Sequence, residues 1–279
     1  MTLSVTKKIK IADRFAIGGN GRFVLFAGPC VVESEKITLE TAEVLKRICE
    51  HLEIPLVFKS SFDKANRSSA FSPRGMGIER GLKVLQRVKS EFDLPIVTDV
   101  HEAWQCAEVA DVADVLQIPA FLCRQTDLLM AAACTGRVVN VKKGQFLAPW
   151  EMKNVLEKMH EAGNDNVLLC ERGTTFGYNN LVVDMAGVAE MRSLGAPVVF
   201  DATHSVQKPC AQGTCSGGNR AAVPCLVRAA MAVGVDGLFA EVHPCPEKAL
   251  SDAATQLPLS AVEELLTQAI EIDRLVKNL

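Results

Sequence analysis

No stretch of this 279-residue chain holds the ~18 to 20 consecutive apolar residues that cross a bilayer, so no transmembrane helix is expected. There is no excess of positive charge either. Thirty lysines and arginines face 33 acidic residues, for a net charge of −3 and a pI of about 6.0. That balance argues against a nucleic-acid surface or a membrane-binding face. The ten cysteines are scattered and form no Cys-x-x-Cys pair, which removes zinc-ribbon and thioredoxin-like readings. Several stand in apolar runs, where a reduced cysteine behaves as a small hydrophobe, and most are expected in the core. Met1 to Phe15 carries lysines but no apolar h-region and no small-residue cleavage site, so a cytoplasmic location is expected. A low-complexity linker is also missing, and no shift of composition divides the chain.

What is present is a hydrophobic fraction of 48%, arranged as short apolar runs that alternate with helical patterns. Phe23 to Gly28 reads as a first strand. Ala42, Leu45, Ile48 and Leu52 then share one helix face. Further strands are expected at residues 54–58, 95–100, 115–120, 138–143, 166–172, 197–204 and 237–243. The last helix is expected from Ser260, with Glu263 closing a capping box. Eight strand–helix units in about 250 residues are the pattern of a single-domain (β/α)8 barrel, the TIM-barrel fold. A doubly wound open sheet would need a glycine-rich phosphate turn after the first strand, and Ala27-Gly-Pro-Cys30 does not supply one. Residues 23–279 are assigned to the barrel. Residues 1–22 fit no repeat unit and are expected to form a hairpin or arm outside it, turning at Gly18-Gly-Asn-Gly21.

The chemistry collects at the strand ends. Lys59-Ser-Ser-Phe-Asp-Lys-Ala-Asn-Arg-Ser-Ser69 follows the second strand directly, and its lysines, arginine and serines form a dense set of anion donors. Together with Arg124, Lys142, Lys143 and Arg172 it predicts a cationic mouth, suited to a substrate with several phosphates or carboxylates. Asp99 and Gln117 leave two other strands. Cys30, His204, Glu241 and Asp252 are a four-ligand set for a divalent transition metal. Spacing alone leaves open a core cysteine and a hydrogen-bonded histidine.

The 59–69 stretch, Gln117-Ile-Pro-Ala-Phe-Leu-Cys-Arg-Gln-Thr-Asp127 and Cys170-Glu-Arg-Gly-Thr-Thr-Phe-Gly-Tyr-Asn-Asn180 resemble the 3-deoxy-D-manno-octulosonate 8-phosphate synthases. Asp201-Ala-Thr-His-Ser-Val-Gln207 and the segment from His243-Pro to Ala249-Leu-Ser-Asp252 agree with that family. The Lys-Ala-Asn-Arg-Ser-Ser run separates it from the cousin heptulosonate 7-phosphate synthases, which carry Lys-Pro-Arg-Thr there. The resemblance implies condensation of phosphoenolpyruvate with arabinose 5-phosphate and water. It places phosphoenolpyruvate on Lys59, Lys64, Lys142 and Arg172, with Gln117 and Arg124 nearby, and the pentose phosphate on Asn66, Arg67 and Ser68. Asp99 would contact the sugar hydroxyls. Lys64, Lys142, Asp99, His204 and Asp252 are the residues it implies beside the reacting atoms.

Cysteine at position 30, where a metal-free branch has asparagine, implies the metal-dependent branch, with zinc, manganese, iron, cobalt or cadmium on Cys30, His204, Glu241 and Asp252. A homotetramer is implied, with Arg67 reaching in from a neighbouring subunit. Cys210, Cys215 and Cys245 depart from the family pattern and would put extra thiols near the metal. The enzymatic alternative is the cousin synthase, with erythrose 4-phosphate as acceptor. A lysine Schiff-base aldolase would leave the thiol and carboxylates without a role, and a non-catalytic barrel would have lost a strand-end residue, which none has.

Overall fold

Alternation along eight short parallel strands sets the architecture: β1 (Val24–Gly28), β2 (Leu56–Lys59), β3 (Ile96–Asp99), β4 (Val115–Ile118), β5 (Val138–Lys142), β6 (Val167–Glu171), β7 (Val198–Asp201) and β8 (Gly237–His243). This computed structural model describes residues 3–209 and 217–278. Each strand pairs in parallel with the next, and β8 pairs with both β7 and β1, so the sheet closes. Eight helices lie outside: α1 (Glu35–Leu52), α2 (Ile78–Phe92), α3 (Gln105–Ala110), α4 (Thr126–Cys134), α5 (Met152–Glu161), α6 (Met185–Ser193), α7 (Val223–Val233) and α8 (Val262–Lys277). The expected (β/α)8 barrel is the observed fold.

Because side chains alternate across a strand, one set of residues faces the helices and the other faces the barrel axis. Leu25, Phe58, Leu116, Leu169, Phe200 and Leu238 are among the first set, packed under the helices. The inward set changes character from bottom to top. Val57 is followed by Lys59, Val97 by Asp99, Val115 by Gln117, Val199 by Asp201 and Phe239 by Glu241. A two-residue step therefore turns an apolar floor into a charged mouth. Gly28 continues the inward line of β1, where any Cβ would stand 1.9 Å from the Lys59 carbonyl oxygen, so only glycine lets β1 and β2 approach.

The N-terminal segment forms an antiparallel hairpin, Ile9–Ile11 with Phe15–Ile17. Its turn is at Ala12 and Asp13, with φ of 50° and 54°, rather than at the glycines after it. The glycine signal misleads because Gly18 and Gly19 lie against residues 6–8 of the other arm, where Gly19 N–H donates to Thr6 O, and do not make the turn. Ile9, Ile11 and Ile17 are buried against Val24, Phe26, Val57 and Phe239, so the hairpin seals the floor. Two buried ion pairs brace this end. Arg192 pairs with Asp236 at 2.6 Å and donates to Ser4 O, while Asp236 also accepts from Thr6 Oγ1. Lys277 pairs with Asp273 at 2.7 Å and donates to the Gly21 and Val235 carbonyls.

Two local expectations are corrected. The seventh strand ends at Asp201, because the chain turns into a 3-10 helix over His204–Val206. The last helix is entered through a 3-10 turn, Leu259–Ala261, which places Ser260 inside the turn; no side chain caps the helix.

Candidate active site and metal centre

Seven of the eight C-terminal strand ends line one cavity of about 780 Å³, the size of a small-molecule site; Cys30, beyond the end of β1, does not line it and is buried beside Asp252. From the stretch after β2, Lys59, Lys64, Asn66, Arg67 and Ser68 line it. Asp99, Gln117, Lys142 and Arg172 line it from β3 to β6, and His204, Glu241 and Asp252 from β7, β8 and the loop beyond. Two of the expected cations are elsewhere. Arg124 is exposed beyond the 3-10 turn Ala120–Leu122 and does not line the cavity. Lys143 is fully buried, donating to Thr174 Oγ1 at 3.0 Å and standing 3.5 Å from Glu171. Adjacent strand residues point to opposite faces, so Lys142 and Lys143 cannot share the mouth.

The remaining cations are not equally available. The Lys59 ammonium lies 2.5 Å from Glu241 Oε1 and donates to Cys30 O at 2.8 Å. Lys142 lies 2.6 Å from Asp201 Oδ2 and 4.1 Å over the centre of the Phe239 ring. Lys64 donates to Ser61 Oγ at 3.0 Å and stands 3.7 Å from Glu241. Burial acts against its charge, but Cys30, Glu241, Asp99 and Asp252 together hold the Lys64 ammonium well above its ordinary value. Arg172 differs from these three. It is buried, its Nη2 donates to Gln207 Oε1 at 2.8 Å, and its Nη1 has no partner. Burial draws it below its ordinary value, yet a guanidinium remains charged. A buried guanidinium that no carboxylate neutralises is a seat for an anionic group.

Beside Lys59 and Lys64, Cys30 Sγ, Glu241 and Asp252 bring their ligand atoms within 4.8 Å of one another. Asp252 returns to this point because Leu257–Pro258 pairs in parallel with the upper end of β8 and folds the intervening loop back over Glu241. Its φ of 48° lies in the left-handed region, which aspartate tolerates better than most residues. Cys30 Sγ stands 3.2 Å from Asp252 Oδ2 and 3.0 Å from Ser251 Oγ. His204 joins from the side, with Nε2 3.6 Å from Glu241 Oε2 and 3.8 Å from Asp252 Oδ2. Its Nδ1 is 2.7 Å from Asp201 Oδ2, the carboxylate contact that orients a ligating imidazole.

These residues fit a divalent metal. Glu241 Oε2 is a buried carboxylate oxygen with no hydrogen-bond partner, facing that imidazole. Burial by itself would keep Glu241 protonated, but Lys59, His204, Lys64 and Lys142 hold it well below the carboxylate range. Burial and the charge of Glu241 push the Cys30 thiol up, a bias that a bound cation reverses.

Three contributors escaped the sequence reading. Asp201 holds Lys142 and His204 together, and its position three residues before His204 was the available signal. Gln207 accepts from Arg172 and donates to Asp252 Oδ1 at 3.0 Å, tying the anion seat to the ligand loop. Ser251 touches Cys30. Gln207 and Ser251 stand in the segments that carry the family resemblance, but no role was assigned to them there. Cys245 turns its thiol toward Glu247, and Cys210 and Cys215 lie outside the described residues.

The profile of the DAHP synthetase I family matches residues 5–278. The chain belongs to this family. Within it, a protein from Fusobacterium nucleatum named 2-dehydro-3-deoxyphosphooctonate aldolase is 58% identical over 278 residues, covering 100% of both chains. Proteins of the same name from a Cyanothece species and from Dichelobacter nodosus are each 57% identical, over 95% and 97% of this chain and 97% of their own. The likeness to these relatives thus extends over 95 to 100% of the chain.

Proposed function

We infer that the chain condenses phosphoenolpyruvate with D-arabinose 5-phosphate and water, giving 3-deoxy-D-manno-octulosonate 8-phosphate and inorganic phosphate. The observation that carries this is identity of 55–58% over nearly the full length to relatives named for the octulosonate product. It disfavours the heptulosonate alternative despite the family's title.

Carbon 3 of the enol adds to the sugar aldehyde, water adds at carbon 2, and phosphate departs with C–O cleavage. Arg172 and Lys142 hold the phosphate of phosphoenolpyruvate, and Lys59 and Lys64 face its carboxylate. Negative charge that develops on the aldehyde oxygen meets a fixed cationic wall that needs no reorganisation. The pentose phosphate lies toward Asn66, Arg67 and Ser68, and Asp99 accepts from a sugar hydroxyl. No lysine need form a Schiff base. Arg124 stands too far out to join this assignment without a movement of its loop.

Cys30, His204, Glu241 and Asp252 would hold one divalent transition metal. Thiolate and imidazole favour zinc, iron, cobalt or cadmium, and the carboxylates admit manganese. When bound, such an ion supplies positive charge that polarises an oxygen or acidifies a water. Asp201 keeps the His204 ring turned toward that position.

A homotetramer belongs to the same proposal. Phe71, Phe121, Phe146, Phe176 and Tyr178 are exposed on loops at the mouth end, an apolar rim suited to another copy. Arg67 lines the cavity of its own chain, and an Arg67 reaching in from a neighbouring subunit is part of the same proposal. Residues 1–22 serve as the floor of one barrel domain, residues 23–279. Among the described residues no helix is long and apolar enough to cross a membrane, and a cytoplasmic location is part of this reading.

The test offers phosphoenolpyruvate with arabinose 5-phosphate or erythrose 4-phosphate and follows phosphate release with and without chelator. Release with the pentose, lost on chelation and restored by metal, is expected. Preference for the tetrose, or full activity with no metal detectable, would overturn the reading.

A further inference from the structure

His101 is half-buried at the wall of the cavity and has no assigned role. It follows Asp99 by two residues at the end of β3, so both side chains leave the strand on the inward side and both line the cavity. His101 Nε2 stands 2.9 Å from Asp99 Oδ2. Burial would favour a neutral Asp99, but the hydrogen bond and charge of His101, with Lys64 and Lys59, hold it below the carboxylate range. An ionised carboxylate only accepts, so Nε2 carries the hydrogen of this contact.

Phe62 meets the ring edge-on, with centroids 5.7 Å apart at 73°, and Gln105 Oε1 steadies the backbone beneath it by accepting from the His101 N–H at 2.8 Å, while Nδ1 is buried without a partner. One carboxylate oxygen is therefore pinned. The other, Asp99 Oδ1, is buried with no partner. A buried ionised oxygen without a donor carries a desolvation cost until a donor arrives, and the cavity is where a ligand can bring one.

We infer that His101 is a positioning residue that sets the acceptor-sugar specificity: by holding Asp99 Oδ2 it aims Oδ1 at one hydroxyl of the bound sugar phosphate. This rests on the proposed function for the nature of the acceptor. A site built around a hydroxyl rejects the analogue that lacks it, because the carboxylate is then left unpaired. Phosphoenolpyruvate has no hydroxyl and gains nothing from the contact.

The experiment compares His101→Gln, whose amide reaches the place of Nε2, with His101→Asn, whose amide stops at the place of Nδ1. Both are studied as metal-loaded enzyme. Kinetics are measured with arabinose 5-phosphate and with its 2-deoxy and 3-deoxy analogues, and phosphoenolpyruvate affinity by calorimetry. The asparagine variant is expected to raise KM for arabinose 5-phosphate about tenfold or more. It should also shrink the parent's preference over one deoxy analogue and leave phosphoenolpyruvate affinity within about twofold, and the glutamine variant should recover most of the loss. Equal weakening of both substrates, an unchanged preference, or an asparagine variant that behaves like the parent would overturn the assignment. Should the parent prefer another aldose phosphate, the proposed function fails. The same comparison run with that acceptor would still decide the role of His101.

Discussion

The two ends of the barrel are built from the same eight strands and both contain buried charge, yet they use it in opposite ways. At the floor, Arg192 with Asp236 and Lys277 with Asp273 are closed ion pairs, and further hydrogen bonds tie them to Thr6 Oγ1, Asn20 Oδ1 and backbone groups of the N-terminal segment and strand entrances. Buried atoms without a hydrogen bond occur at both ends: Arg192 Nε and Asp273 Oδ1 at the floor, and Arg172 Nη1, Glu241 Oε2 and Asp99 Oδ1 at the mouth. Only the residues at the mouth line a cavity that a ligand can enter, and there Arg172 has no carboxylate of its own. A buried group with an open valence costs stability and is retained where a ligand completes it. The difference separates the charges that hold the fold from those proposed to do the chemistry.

Substitutions at three positions test that separation, in descending order of expected effect. Cys30→Ala at the mouth removes the softest metal ligand. Metal content and turnover should fall by about a hundredfold or more, with thermal stability of the metal-free protein little changed and phosphoenolpyruvate still bound by Arg172 and the lysines. Elemental analysis with activity assays checks this. Cys30→Asn, carrying the residue of the metal-free branch, should keep some activity in chelator. A Cys30→Ala protein that binds metal and turns over like its parent would make Cys30 a core residue and erase the contrast.

Arg192→Ala at the floor should do the reverse. It leaves Asp236 buried and unpaired, costing about 3 to 5 kcal/mol of stability, read from the urea midpoint at constant slope. The folded fraction should keep its KM values. Arg67→Ala sharpens the comparison within the mouth itself. Loss of one charge-assisted phosphate contact should weaken the pentose phosphate by about 1.5 to 3 kcal/mol and leave phosphoenolpyruvate affinity intact, measured by calorimetry. Equal weakening of both would place Arg67 at the wrong phosphate.

Much of this was legible in the chain because it is local. A strand of four or five residues shows its period directly, and a lysine or aspartate at its end must face the axis when the residue two before it does, as Val57 and Lys59 illustrate. The same rule, applied more strictly, would have removed Lys143 from the mouth, since it alternates with Lys142. The floor hairpin was visible as a segment outside the repeat, but its turn was not, because Ala12 is a poor turn residue and the single Asp13 is a weaker signal than the run of glycines that follows. Arg124 could not be placed, since its position depends on where a 3-10 turn ends.

The sequence by itself determined the barrel and the collection of charge at one end, because each is written in spacing and residue type along single elements; its spacing left the ligand set open, since Cys30, His204, Glu241 and Asp252 stand on four separate elements. Only the tertiary structure decided which charges are already neutralised. That Lys59 belongs to Glu241, Lys142 to Asp201, and Arg172 to no carboxylate depends on contacts between strands separated by 59 to 182 residues. Ion pairing acts over a few ångströms of space, and distance along the chain carries no record of it.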